Sequence, residues 1–318
     1  MKGNFMRFII LMLLTLPLLS CASGGPKPVP SVLALRLERF LHPPGGTVAV
    51  VYHNLGTGAI YARNEDQTFH AASTMKVPVM MALFQAVDNG ELRLDQPIPV
   101  RNEFQSLADG SPFSLDAKDD GDPDLYQAVG STRPLEELIR RMITRSSNLA
   151  TNLLIEKIGA SRAQDLIRGL GGYHTIILRG VEDEKAYRAG LNNVTAAEDL
   201  AIALTAIAQG TGFKPASNQK MLEFLKAQEF NEKIPAGLPP GTPVAHKTGD
   251  ITGFHHDAAI VYPPGEKPYI LVVMTEGYQD EKDANRAIAA ISQVVWERRA
   301  DLLSGPEAQP AKPPREGG

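Results

Sequence analysis

Five short segments of the chain are apolar and rich in β-branched and aromatic residues: Val48 to Tyr52, Ala59 to Ala62, Pro243 to His246, Ala258 to Tyr262 and Tyr269 to Thr275. Runs of this length, bounded by turn residues, predict strands. NLGTG between the first two predicts a hairpin. Between the early and late strands, apolar positions recur with helical spacing. Thr74 to Val87 predicts a helix closed by Asn89-Gly90. Further helices are predicted over Leu135 to Ile143, Asn148 to Ile158 and Arg162 to Arg168. Ser161 with Gln164, and Thr195 with Glu198, have the spacing of capping boxes, the second ahead of AAEDLAIALTAIA. A last helix is predicted from Glu281 to Leu303. The order is hairpin, helices, three strands, helix. It predicts an α/β (α+β) molecule in which both ends of the domain feed one antiparallel five-stranded sheet, with an all-helical lobe inserted between them. The cleft between two such lobes is a favoured place for a site.

The two ends of the chain read differently. Lys2 and Arg7 precede the apolar run FIILMLLTLPLL, and Ser20-Cys21-Ala22 follows. A basic start, a short apolar core and a small-residue cleavage site predict a secretory signal over residues 1–20. Cys21 is the only cysteine, so no intramolecular disulfide is possible. Leu18-Leu19-Ser20-Cys21 resembles the bacterial lipoprotein box, which implies lipid modification at Cys21 and a chain tethered in the cell envelope, facing the periplasm. Ala22 is compatible with sorting to the outer membrane. Residues 21–30, with GGPKPVP, read as a linker, 31–303 as the folded domain, and 304–318 as a disordered tail without apolar character. A net charge of -4 gives no electrostatic case for nucleic-acid binding.

Three motifs carry candidate chemistry. Ser73 and Lys76 in STMK lie three apart on the predicted helix, so the amine can reach the hydroxyl. A serine needs a neighbour to take its proton, and a lysine in a dry site beside other cations can do so. Free backbone N–H groups at a helix start can hold a developing oxyanion. Alone, this spacing reads equally as an N-cap followed by a snorkelling lysine. RSSNLATN places Ser146, Ser147 and Asn148 at a junction between helices, and HKTGD places Lys247, Thr248 and Gly249 at the exit of a strand-like run. Together and in this order, S-x-x-K, S-x-N and K-T-G form a recognised set.

On these motifs the chain resembles the class A β-lactamases and the wider serine, penicillin-recognising fold, over about Ser31 to Leu303. The resemblance implies that Ser73 attacks a lactam carbonyl and that Lys76 activates it, directly or through water. It implies that Ser146 relays a proton to the leaving nitrogen and that Asn148 holds the substrate's side-chain amide. Lys247 would supply positive potential, Thr248 would bind the substrate carboxylate, and the N–H groups of Ser73 and Asp250, after Gly249, would form the oxyanion hole. No cofactor or metal is implied. The expected partners are a small β-lactam and, through Cys21, a membrane, with the chain a monomer. A penicillin-binding D,D-peptidase acting on peptidoglycan stem peptides would use the same residues, and a non-catalytic envelope lipoprotein could keep the same fold.

The sequence departs from the family pattern in four places. Ser147 stands where S-D-N has aspartate. The loop ILRGVEDEKAYRAGLNNVT lacks the usual Glu-Pro-x-Leu-Asn run, which leaves Glu182 as the candidate base for ester hydrolysis, with Asp183 and Glu184 as rivals. No arginine lies between Gly249 and Pro263 to bind a carboxylate; His255 and His256 are there instead, and read as structural, as does His246. DAKDDGDPD, Asp116 to Asp124, has the flavour of an EF-hand loop, but Lys118 occupies a ligand position and Gln127 stands where a bidentate glutamate belongs. It reads as a solvated acidic loop.

Overall fold

The computed structural model describes residues 32–43 and 45–300. The signal at 1–20, Cys21 with its linker and the tail from Ser304 lie outside the described residues.

Five strands form the expected sheet: β1 (Thr47–Asn54), β2 (Ile60–Arg63), β3 (Val244–Ile251), β4 (Gly253–Val261) and β5 (Tyr269–Tyr278). Their order is β2-β1-β5-β4-β3, and every neighbouring pair is antiparallel. The strands read as continuous apolar runs because both faces of the sheet are covered. Val48, Val50 and Tyr52 of β1 face a core shared with two helices, α1 (Val32–Leu41) and α9 (Glu281–Arg298). Ala49 and Val51 face the opposite core, with the rest of the helical layer.

That layer is built round α2 (Lys76–Asp88), which is buried on every side: ten of its thirteen residues are out of solvent. A helix apolar all round belongs at the centre of a lobe. Around it lie α3 (Leu135–Thr144), α4 (Asn148–Ile158), α5 (Ala160–Gly169), α7 (Ala197–Gln209) and α8 (Pro215–Lys226), with the short α6 (Glu184–Arg188) in the loop before α7.

Three local expectations are corrected. K-T-G lies inside β3, not at its exit, and β4 begins at Gly253, before the apolar run. Neither capping box forms. Ser161 is inside α5, and Gln164 accepts from the Ile177 N–H (3.2 Å). Thr195 lies in a short strand, Val194–Ala196, paired with Thr68–His70, and its hydroxyl meets that of Thr175 (2.8 Å).

Candidate active site

Ser73 stands on a 3-10 turn, Ala72–Met75, that leads into α2. Ala72, just before it, has φ +45°; Ser146 has +56° and Glu182 +61°. Asn64 is the one other non-glycine described residue with positive φ. Such a backbone costs on the order of 1–3 kcal/mol per residue and persists only where surrounding structure enforces it. Three strained residues at three candidate positions mark one site.

β3 presses against this turn. A Cβ on Gly249 would stand 3.1 Å from the Ser73 nitrogen and 3.0 Å from the Thr74 nitrogen, so any larger residue would push strand and turn apart by a few tenths of an ångström. Ser73 itself is half-buried.

Opposite lie two buried lysines, both with no exposed surface. Lys76 Nζ donates to Ser146 O (2.7 Å), Ser146 Oγ (3.1 Å) and Asn148 Oδ1 (2.8 Å). These are all the donors an ammonium has, so it reaches across to α4 rather than along its own helix to Ser73. Lys247 Nζ donates to the same Ser146 Oγ (3.1 Å) and to Thr248 O (2.8 Å). Burial pushes Lys76 down to about 7, against the pull of Asp120 and Glu182. Burial, then repulsion from Lys76, drives Lys247 well below its ordinary value. A neutral amine keeps two N–H groups and gains a lone pair able to receive a proton. Both lone pairs of the Ser146 hydroxyl are taken by lysine donors, which leaves its own proton for a third partner.

Asn148 joins this pair to the loop. Its Oδ1 accepts from Lys76, and its Nδ2 donates to Glu182 Oε1 (3.1 Å). Glu182 is exposed, yet the protein packed round it raises its carboxyl, with Lys76 opposing. The rivals do other work. Asp183 is buried, caps α6 through Ala186 N (3.1 Å), and accepts from Ser106 Oγ and Leu107 N, both at 2.8 Å. Glu184 points outward to Arg188. Asn152, for which the sequence suggested no role, holds the loop: Val181 N donates to its Oδ1 (2.6 Å) and its Nδ2 donates to Val181 O (3.0 Å). Gly180 leaves room for this side chain; a Cβ there would come within 2.3 Å of Asn152 Oδ1.

Beyond K-T-G, Asp250 is paired with a lysine from outside the sheet. Buried Lys233 donates to Asp250 Oδ2 (2.9 Å), and His255 Nδ1 lies 2.9 Å from Asp250 Oδ1. Burial alone would raise Asp250, but His255 and Lys233 hold its carboxyl below the usual range. His256 accepts from Thr275 N (3.2 Å) and donates to His70 O (2.8 Å), so it is neutral, with burial pushing it down to about 4. His246 sits between Asp257 and Asn231.

Asp116, Asp119 and Asp124 of the acidic loop are exposed, as expected, but Asp120 and Asp122 are not solvated. Asp122 has no exposed surface and binds Arg141 (2.9 Å) and Arg145 (3.0 Å) of the α3 end. Asp120 is buried against the start of α4, where its carboxylate accepts from Asn148 N (3.0 Å) and Leu149 N (2.9 Å). Gly121 between them passes so close that a Cβ would stand 2.2 Å from Arg145 O. Among the described residues no group of three His, Cys, Asp or Glu is placed to hold a metal ion.

The family model described as the beta-lactamase enzyme family matches residues 33–298. The chain belongs to the β-lactamase enzyme family. It is similar to the carbapenem-hydrolyzing beta-lactamase KPC of Klebsiella oxytoca, 26% identical over 296 residues that cover 89% of this chain and 96% of that one. It is equally similar, at 26% over 256 residues, to a beta-lactamase of Streptomyces albus G, covering 79% of this chain and 78% of the other. Among solved structures, PBP-A superposes with a TM-score of 0.72 at 28% identity, covering 84% of this chain and 95% of its own. A beta lactamase from Xanthomonas campestris pv. campestris gives 0.74 at 26%, over 83% and 96%. These neighbours share the α+β fold with its five-stranded antiparallel sheet.

Proposed function

We propose that this family member opens β-lactam rings through an acyl-enzyme on Ser73. The observation that carries this is the Ser146 hydroxyl, held between Lys76 and Lys247 with its proton left over. Neutral Lys76 receives the Ser73 proton, directly or through water, as Oγ bonds to the lactam carbon. The oxyanion sits on the N–H groups of Ser73 and Asp250. As the carbon–nitrogen bond breaks, Ser146 gives its proton to the nitrogen and is replenished from Lys76. Lys247 and Thr248 receive the substrate carboxylate, and Asn148 its side-chain amide. Glu182 then takes a proton from water, whose oxygen attacks the ester; as the ester bond breaks, that proton passes back to the Ser73 oxygen and both groups are regenerated. A mutant of PBP-A, 27% identical to this chain at a TM-score of 0.68, has been solved as an acyl-enzyme complex with penicillin G.

The chain is further proposed to be exported through residues 1–20, lipidated at Cys21 and displayed as a monomer on the periplasmic face of the envelope. The motifs in the sequence support that reading.

Steady-state hydrolysis of a penicillin tests the function. Wild type should turn over many equivalents, and Ser73→Ala should lose both turnover and covalent labelling. Labelling that persists in Ser73→Ala contradicts the assignment of the nucleophile. A stable stoichiometric adduct on wild type would favour a D,D-peptidase.

A further inference from the structure

Position 147 of the S-x-N motif carries serine, yet the start of α4 still holds a carboxylate. Ser147 Oγ, as N-cap, reaches Ala150 N at 3.3 Å. The Asn148 and Leu149 amides ahead of it are taken by Asp120. Asp120 is 8% exposed and accepts from two more donors, Asp122 N and Tyr126 Oη, both at 2.9 Å. A buried anion with four donors on a helix N-terminus is firmly seated.

The residue it seats matters most. Asn148 is bonded on one side to Lys76 and on the other to Glu182, so the setting of its backbone decides where both bases stand. Ser146, two residues earlier, holds its positive φ only because the chain on either side is fixed. Behind Asp120 the loop is anchored by Asp122 on Arg141 and Arg145, and by the close approach of Gly121.

We infer that Asp120 supplies, from the loop ahead of α3, the carboxylate that Ser147 does not: it is a positioning residue that fixes Asn148 and, through the Asn148 side chain, Lys76 and Glu182. The inference rests on the acyl-enzyme reading for its kinetic consequences, but not for its structural one.

Three variants test it: Asp120→Asn, Ser147→Asp and the two combined. Amide exchange reads the structural part and needs no substrate. The Asn148 and Leu149 amides should exchange faster in Asp120→Asn by about tenfold, the size of a lost helix cap, and the Leu149 amide, within reach of a carboxylate at the N-cap, should recover in the double variant. Kinetics reads the rest. Lys76 is faced by Asp120, Glu182 and Lys247; Glu182 is faced by Lys76, Asp119, Asp120 and Arg179. Asp120 raises both bases. In Asp120→Asn, therefore, kcat should fall about tenfold with less change in KM. The acid limb of its pH profile should move to lower pH, and the double variant should restore both.

A protein that is merely less folded loses rate at every pH without moving the limb. An unmoved limb, unchanged exchange or no recovery in the double variant overturns the inference. If wild type takes no β-lactam at all, the functional reading fails, while the exchange result still decides the role of Asp120.

Discussion

Lys76 concentrates the chemistry at the scale of single residues. An ammonium with no exposed surface is held only because Ser146 and Asn148 take all its protons and two carboxylates stand nearby. With Lys76 pushed down to about 7, the acylation rate measured in single turnovers should rise with pH through that value and then level. Stability follows the same group. Its folded value lies below the ordinary 10.5, so between about 7 and 10.5 the unfolded chain binds the extra proton. Stability contributed by this group therefore rises with pH across that window. Denaturation midpoints should show the slope in wild type, less of it in Lys76→Met, and an equal slope in both would contradict the assignment. Gly249→Ala tests the contact between strand and turn. Its Cβ must push back the Ser73 and Thr74 amides by a few tenths of an ångström, and acylation should slow, by less than the roughly hundredfold that a 1 Å misplacement can cost. The serine and the two lysines were legible in the sequence because the reaction dictates their identities. The positive φ at Ala72, Ser146 and Glu182 was not, since none of the three is a glycine to advertise it.

At the scale of elements, the loop before α7 is tied to α4 beside Glu182 by one amide side chain. Asn152 makes two hydrogen bonds to Val181, next to Glu182, and Asn152→Ala removes both. Deacylation should slow by about ten- to a hundredfold, the cost of one or two lost hydrogen bonds at a positioned base, while acylation changes little. Separate measurement of the two steps checks this; equal slowing of both would mean that Asn152 supports α4 rather than the loop. Strands β1 and β5 were readable because both faces are apolar. The first half of β4 was hidden by His255, His256 and Asp257, whose polar groups find partners inside the fold. The capping boxes were misread for a related reason: Gln164 and Thr195 are engaged by Ile177 and Thr175. The role of the acidic loop depended on partners 19 to 29 positions away in the chain, and no local pattern encodes them.

On the scale of the whole molecule, the site is a seam between the β3 edge of the sheet and the helical layer. The sheet brings β3 to its edge, α2 and the turn ahead of it place Lys76 and Ser73, and α4 and the Glu182 loop close the far side. A cavity of about 360 Å³, lined by Gln85, Arg162, Leu166 and Phe213 among others, lies away from this seam and is lined by none of the motif residues. The division into sheet and helical lobe could be read from element order, because both ends of the domain supply strands to one sheet. The intact-mass time course of wild type and Glu182→Gln with a modest excess of penicillin tests the central claim most directly. Wild type should show a transient adduct on Ser73 while the drug is consumed. The variant should hold the same adduct, with turnover lower by about 10²–10⁴. An adduct that clears equally fast from both proteins, or none on Ser73, would contradict the account.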